Sequence, residues 1–177
     1  MAISRGKQFE WEIKNQLLRV PEISVDRIYD VTTGFVNQNT LCDFIVFKDR
    51  ILHYFECKAI KGATLNFKSH IRENQWEGLV EKSTIPFVNA GILCWFIDYD
   101  KTVFISIDEL VKLKKQGKKS FHILKDIDTV PIIKLEGKKR RVFFNYDFET
   151  FFRQIYTDFN FSNKFIKNTW QVNYNIL

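Results

Sequence analysis

Two runs of alternating side chains constrain this chain most, because they predict a tight antiparallel pair of strands. Residues 43–48 and 51–58 are rich in β-branched and aromatic side chains, and the polar pair between them suits a two-residue hairpin loop. In that register Asp43 falls directly opposite Glu56. Opposed residues point to the same face of a sheet, and Lys58, two positions beyond Glu56, points there too. The sequence therefore predicts two carboxylates and an ammonium at one end of a hairpin.

Two opposed carboxylates predict a bound cation. Like charges about 5 Å apart repel each other and destabilise a sheet unless a positive charge lies between them. Mg²⁺ prefers oxygen ligands and is usually held by one or two carboxylates together with water and phosphate oxygens. Asp43 and Glu56 thus form a candidate site for Mg²⁺ or Mn²⁺. The alternative interpretation is a structural ion-pair cluster with Lys58.

The size and charge of the chain favour a single domain, and they point toward a polyanionic partner. The chain has 177 residues, enough for a buried core, and a net charge of +6.

Its three cysteines, Cys42, Cys57 and Cys94, form no C-x-x-C pair, which indicates buried free thiols in a reducing compartment. The first ten residues lack a signal core, and the longest apolar run, residues 90–97, is too short to span a membrane as a helix. These features predict a soluble intracellular protein.

Hydrophobic periodicity and turn residues predict a mixed order of helices and strands. The predicted helices are residues 5–20 (capped by Ser4), 69–82, 106–117 (capped by Ser106) and 147–156 (capped by Asp147). The predicted strands are residues 25–33, 43–48, 51–58, 90–98, 102–107, 130–135 and 142–146, with a polar loop at 34–40 and a turn at 136–139. We therefore expect one α/β domain, residues 1–156, with a central mixed sheet flanked by helices. Residues 157–177 form a tail without an assigned structure.

Basic residues concentrate in the last third of the chain. Residues 111–141 contain eleven Lys or Arg against three acidic residues. Such a run is usually a solvated surface, which is our interpretation of Lys118-Lys119. A second cluster falls at the tip of the predicted hairpin at 130–146, a shape that can straddle a groove. Its members, Lys138, Lys139, Arg140 and Arg141, are candidates for sequence-independent contacts with nucleic-acid phosphates.

With these elements assigned, three segments carry a resemblance to known nucleases. Asp43 followed by Glu56-Cys57-Lys58 resembles the PD-(D/E)XK motif, here without its proline. Residues 5–10, RGKQFE, resemble the helical segment that precedes the catalytic strands in RecU-type Holliday-junction resolvases. Residues 65–76 resemble the segment after the E-x-K tripeptide in that family, and Gln75 matches its glutamine. The resemblance spans roughly residues 5–110.

This resemblance implies a restriction-endonuclease-like domain and a metal-dependent DNA endonuclease. Asp43, Glu56 and the backbone carbonyl of Cys57 would bind Mg²⁺ or Mn²⁺, with Glu10 helping to hold a second ion. Lys58 would hold or deprotonate the attacking water, and Gln75 would orient the water or a phosphate. The residues expected to contact DNA are Arg5, Lys138, Lys139, Arg140 and Arg141.

The resemblance further implies a homodimer that resolves four-way DNA junctions by symmetric nicking. Such an enzyme acts in recombination and repair in the cytoplasm of a bacterium or a phage-infected host cell. One alternative is a restriction- or repair-type endonuclease on the same fold. Another is a DNA-binding module without catalysis, whose Asp43, Glu56 and Lys58 form only an ion-pair cluster.

Overall fold

A six-stranded mixed sheet forms the centre of the protein. The computed structural model describes residues 4–28, 31–33, 36–38 and 40–162, with side chains for residues 4–28 and 40–158. The strands are β1 (Ser24–Arg27), β2 (Val31–Thr33), β3 (Val36–Gln38), β4 (Phe44–Lys48), β5 (Ile51–Ile60), β6 (Thr64–Asn66), β7 (Val88–Phe96), β8 (Lys101–Ser106), β9 (Ser120–His122), β10 (Ile133–Lys134), β11 (Gly137–Lys139) and β12 (Phe144–Tyr146). The helices are α1 (Arg5–Leu17), α2 (Phe67–His70), α3 (Glu73–Ser83), α4 (Ile107–Lys115) and α5 (Phe148–Ser162).

The order of strands in the central sheet is β1-β4-β5-β7-β8-β10. All neighbours are antiparallel except β5 and β7, which run parallel and are joined by the crossover through α2 and α3. Parallel neighbours need such a crossover, whereas antiparallel ones can be joined by short turns. Three further two-stranded ribbons lie outside this sheet: β2–β3, β6–β9 and β11–β12.

Helices cover both faces of the sheet. One core contains apolar residues of α1 and α5 packed on Phe44, Phe55 and Trp95, and the other contains residues of α3 and α4 packed on Ile92 and Ile105. This arrangement confirms the predicted mixed α/β fold with a central sheet flanked by helices. The three cysteines are buried and free, as the sequence predicts.

Helix α1 forms where it is predicted, and it ends earlier. The Ser4 side chain accepts a hydrogen bond from the Lys7 N–H, and Phe9, Ile13 and Leu17 are fully buried. The helix ends at Leu17 rather than at residue 20, in the last turn before Pro21.

The helix predicted at 69–82 is two helices. Ile71 has an extended backbone (φ −117°, ψ 120°) and separates α2 from α3. The Ile71 side chain is buried in the core. The Arg72 N–H donates to the Gln75 side chain, and this hydrogen bond lies at the start of α3. The break therefore turns α3 so that Gln75 faces the sheet.

The strand predicted at 25–33 is also divided. β1 pairs with β4 only from Ser24 to Arg27, and residues 31–33 pair instead with residues 36–38. The predicted loop at 34–40 therefore contains β3. Residues 29–30, 34–35 and 39 lie outside the described part of the chain.

The final predicted hairpin is shifted along the chain. β10 pairs with β8 rather than with residues 142–146, and the hairpin is formed by β11 and β12. Buried Leu135 donates its N–H to the Thr102 carbonyl, which keeps residues 133–135 on the edge of the central sheet. Lys138 and Lys139 consequently lie in a strand, and only Arg140 and Arg141 belong to the tip.

Helix α5 runs to Ser162, past the predicted end at residue 156. The Asp147 side chain accepts a hydrogen bond from the Thr150 N–H at 3.0 Å, which is the predicted cap. Residues 163–177 lie outside the described part, so the domain boundary and the tail stay predictions.

Among the described helices, none has the length and apolar character to cross a membrane.

Candidate active site

The β4–β5 hairpin has the predicted register. Lys48 pairs with Ile51 and Phe44 with Phe55, so Asp43 lies opposite Glu56. Asp49 and Arg50 form the loop with φ values of 51° and 66°. Positive φ at both central residues is what the favoured two-residue hairpin turn requires; aspartate tolerates this conformation, and Arg50 adopts it at a cost in strain.

Backbone hydrogen bonds hold Asp43 at the end of this hairpin. Its N–H donates to the Phe55 carbonyl at 3.1 Å, and its own carbonyl accepts from Ile28 N–H at 2.9 Å. The Asp43 carboxylate accepts from the Cys57 N–H at 2.7 Å through Oδ2. The side chain is thus fixed next to the strand that carries Glu56 and Lys58.

Glu56 is a buried carboxylate with only one of its oxygens satisfied. Its relative exposure is 3%. Oε1 accepts hydrogen bonds from Lys58 Nζ at 2.6 Å and from Gln75 Nε2 at 2.8 Å. Oε2 is buried and has no hydrogen-bond partner among the described residues. A buried unpaired carboxylate oxygen is costly, so this atom requires an explanation.

Gln75 forms hydrogen bonds with both Glu56 and Lys58. Its amide nitrogen donates to Glu56, and its Oε1 accepts from Lys58 Nζ and from the Arg72 N–H, each at 3.3 Å. Helix α3 also lies close to the chain before Asp43: a Cβ on Gly78 would meet Leu41 Cδ1 at 2.6 Å. The absence of a side chain at Gly78 therefore permits the approach that brings Gln75 to the site.

The electrostatics of the site indicate a shortage of positive charge. Burial, then the charges of Glu56 and Glu10, raise the pKa of Asp43 to about 8. Burial also raises the pKa of Glu56, although Lys58 and Gln75 oppose that effect. A single ammonium does not offset the two carboxylates, and a bound cation would stabilise both in their ionised form.

Glu10 lies within electrostatic range of this pair but has a partner of its own. Arg27 Nη2 forms an ion pair with Glu10 Oε2 at 2.6 Å. Within the part of the chain that the structure describes, His, Cys, Asp and Glu side chains do not gather in threes around a possible metal position. Two carboxylates still fit Mg²⁺, which usually takes one or two from the protein and fills its remaining positions with water and phosphate oxygens.

The residues expected to contact DNA are dispersed. Lys139 forms an ion pair with Asp100, and Arg140 with Glu12, whereas Lys138 and Arg141 are exposed at the hairpin. The hairpin is tied to α1, because Gln16 donates to the Phe144 carbonyl at 2.8 Å and accepts from Tyr146 N–H at 2.7 Å. Arg5 is exposed at the start of α1 and donates to Gln8 at 3.1 Å.

Sequence reasoning missed Arg27 and Gln16. Arg27 reaches Glu10 because β1 pairs with β4, and this pairing joins strands that are separated by the β2–β3 ribbon. Gln16 lies on the buried face of α1 at helical spacing from Phe9 and Ile13, so a polar residue on an apolar stripe was the available signal.

No protein-family model and no curated protein matches this sequence. Among solved structures, the chain is similar to Hjc of Archaeoglobus fulgidus, a Holliday junction resolvase from an archaeal hyperthermophile. The two share 16% sequence identity with a TM-score of 0.45, and the match covers 59% of this chain and 78% of the other.

Proposed function

We propose that this protein is a metal-dependent endodeoxyribonuclease that hydrolyses phosphodiester bonds. The observation that carries the proposal is the state of Glu56: one oxygen is held by Lys58 and Gln75, while the other is buried without a partner beside Asp43. An ion-pair cluster alone would be expected to satisfy both oxygens of a buried carboxylate, whereas a metal ligand needs an oxygen that protein donors leave available.

Asp43 and Glu56 would hold Mg²⁺ or Mn²⁺, together with the Cys57 carbonyl. When bound, such an ion stabilises negative charge on a phosphoryl oxygen and lowers the pKa of a coordinated water. The Cys57 N–H keeps Asp43 Oδ2 in position at 2.7 Å, and Gln75 keeps the Glu56 carboxylate from rotating. Both contacts preorganise the ligands before substrate arrives.

Lys58 is the residue that would act on the attacking water or the phosphate. Its ammonium is 2.6 Å from Glu56 Oε1 and 3.3 Å from Gln75 Oε1, which fixes its position at the end of β5. From there it would donate a hydrogen bond to the water or to a phosphoryl oxygen, and its positive charge would stabilise the transition state. Glu10, which is paired with Arg27, would help to hold a second metal ion at the edge of the site.

We propose further that the substrate is branched DNA, with the four-way junction as its principal form. This preference rests on the similarity of residues 5–10 to the corresponding resolvase segment. A pair of copies would then be required, because two symmetric nicks need two sites. The proposed setting is recombination and repair in a bacterial or phage-infected cell.

A nicking assay tests the proposal. Labelled immobile four-way junction and matched linear duplex are incubated with Mg²⁺ and with EDTA, using wild type, Glu56→Gln and the control Glu81→Gln. Glu81 is exposed on α3, so the control removes the same charge away from the site. We expect paired symmetric nicks on the junction for wild type and control only, with DNA binding retained in Glu56→Gln.

Other outcomes separate the parts of the proposal. Equal cutting of junction and duplex would support nuclease activity but exclude a preference for junctions. A restriction- or repair-type enzyme would then be the better interpretation. Metal-dependent cutting that persists in Glu56→Gln would exclude the assigned site. Binding without any cutting would indicate a non-catalytic DNA-binding module.

A further inference from the structure

The β6–β9 ribbon brings two lysines together near the candidate site. Its strands pair in antiparallel register, with Asn66 opposite Ser120. At the end of the ribbon the Phe67 N–H donates to the Lys119 carbonyl at 3.0 Å. Lys68 follows directly in α2, so Lys68 and Lys119 lie on adjacent stretches of backbone. Both side chains are exposed. We call these two residues the lysine pair.

Local hydrogen bonds fix the backbone that carries Lys68. The Asn66 side chain accepts from the N–H groups of Lys68 and Ser69, at 3.0 and 3.1 Å. The Asn66 N–H in turn donates to His70 Nδ1 at 3.0 Å. This segment is therefore ordered before any ligand arrives, which lowers the entropic cost of binding.

The same segment leads directly into the candidate site. Arg72 follows α2, and its N–H donates to Gln75, which donates to Glu56. Lys68 and Arg72 are four positions apart along the chain, so their Cα atoms are at most ~14 Å apart. That distance corresponds to about four base-pair steps at 3.4 Å each. A strand bound beside Arg72 would thus reach Lys68 within a few nucleotides.

The lysine pair differs from the neighbouring Lys118, and from Lys112, in having no acidic partner within the described part of the chain. Lys118 is paired with Asp126 at 2.7 Å and Lys112 with Glu109 at 2.6 Å. In contrast, no carboxylate among the described residues forms an ion pair with Lys68 or Lys119. Neighbouring cations without acidic partners repel each other, and a polyanion relieves that repulsion.

We propose that the lysine pair binds the phosphodiester backbone of the nucleic-acid substrate on the α2 side of the candidate site. The inference rests on the proposed function, which supplies the substrate class. It also revises the interpretation of Lys119 as a merely solvated residue. The basic hairpin β11–β12 is tied to α1, which packs on the opposite face of the sheet from α3, so the substrate would be held by two separate basic surfaces.

The test compares two double variants that remove the same charge. Lys68→Gln with Lys119→Gln removes the lysine pair. Lys112→Gln with Lys82→Gln is the control, because each of these lysines has a glutamate partner. The dissociation constant of a labelled four-way junction is measured in EDTA between about 50 and 200 mM salt, a range in which phosphate contacts strongly affect affinity.

We expect the slope of log K against log salt to fall by about two units in the lysine-pair variant, since each phosphate contact contributes about 0.9. The control should keep the wild-type slope. Stabilisation by Mg²⁺, read as a shift in melting temperature, should be the same in all three proteins. Equal slopes in the two double variants would overturn the inference.

The same experiment separates this inference from the proposed catalysis. If wild type binds DNA with a steep salt dependence that the lysine-pair variant lacks, the lysine pair binds DNA. This conclusion holds even where no metal-dependent cleavage is observed. If wild type cleaves DNA and the slope is unchanged in the variant, the proposed function stands and the surface is excluded. Absence of DNA binding by wild type would overturn both.

Discussion

Asp43 carries a charge that the metal-free fold tolerates poorly. Burial and the charges of Glu56 and Glu10 raise its pKa from 3.8 to about 8. The unfolded chain therefore loses its proton at lower pH than the folded one, and the ionised carboxylate destabilises the fold increasingly as pH rises from about 4 to 8. A residue that costs stability in the metal-free protein is typical of a functional site.

Asp43→Asn should consequently stabilise the metal-free protein. The asparagine Oδ1 can still accept from the Cys57 N–H, while the repulsion with Glu56 is removed. In EDTA at pH 8 we expect a gain of about 1–3 kcal/mol in the free energy of unfolding, within the usual range for single substitutions. The gain should be smaller at pH 5.

Thermal or urea denaturation measures this effect, with added Mg²⁺ as a second condition. Wild type should be stabilised by Mg²⁺, because a ligand that binds only the native state raises its stability, and Asp43→Asn should not respond. A loss of stability in EDTA would mean that the carboxylate is a structural group.

Gln75 should act by positioning Glu56 and Lys58 rather than by binding DNA. We expect Gln75→Ala to lower the cleavage rate about 10–100-fold, as is typical when a residue that orients metal ligands is removed. Junction affinity in EDTA should be unchanged. The matched control is Glu77→Ala on the exposed side of the same helix. Equal rates for the two variants would show that Gln75 is dispensable.

At the scale of elements, the sequence correctly predicted the helices and hairpins that depend on residues close together in the chain. The pairing of strands that are distant in sequence could not be predicted from the same local patterns. The β4–β5 and β7–β8 hairpins and helices α1 and α4 form close to their predicted limits, because their turns and caps are encoded within a few residues. The split between α2 and α3 depends on Ile71 being drawn into the core. Such an effect of tertiary packing has no signal in helical periodicity.

The packing of α5 on the sheet gives a prediction about acid stability. His53 is 1% exposed, lies against the rings of Phe55 and Phe152, and has its Nδ1 3.3 Å from Asn89 Nδ2. Burial lowers the pKa of His53 to about 3. Between about pH 6.5 and 3 the unfolded chain therefore binds a proton that the folded chain excludes.

Stability should then fall with decreasing pH below 6.5 by about 1.4 kcal/mol per pH unit from this residue. His53→Gln removes the titrating group, and its unfolding free energy should depend less steeply on pH. Urea denaturation of both proteins between pH 7 and about 4.5 measures the difference in slope, in which the other titrating groups cancel. Parallel pH profiles would mean that His53 binds its proton equally well in the folded and the unfolded chain.

At the scale of the whole molecule, the candidate site combines what the sequence encodes locally with what only the fold supplies. Asp43, Glu56 and Lys58 are brought together by one hairpin, so their meeting could be predicted from spacing alone. Gln75 was predicted from the resemblance to resolvases, but its position depends on the α2–α3 break. The positions of Arg27 and of the lysine pair depend on the β1–β4 pairing and on the β6–β9 ribbon. Each of these depends on contacts between segments distant in sequence, which periodicity does not report.

The most direct test of the account is binding of Mn²⁺ to the metal-free protein. Free Mn²⁺ is followed by electron paramagnetic resonance during titration of wild type, Asp43→Asn, Glu56→Gln and the exposed control Glu81→Gln. The account predicts that wild type and control take up the ion and that the two site variants lose this uptake while remaining folded. Equal uptake by Glu56→Gln and wild type would contradict it.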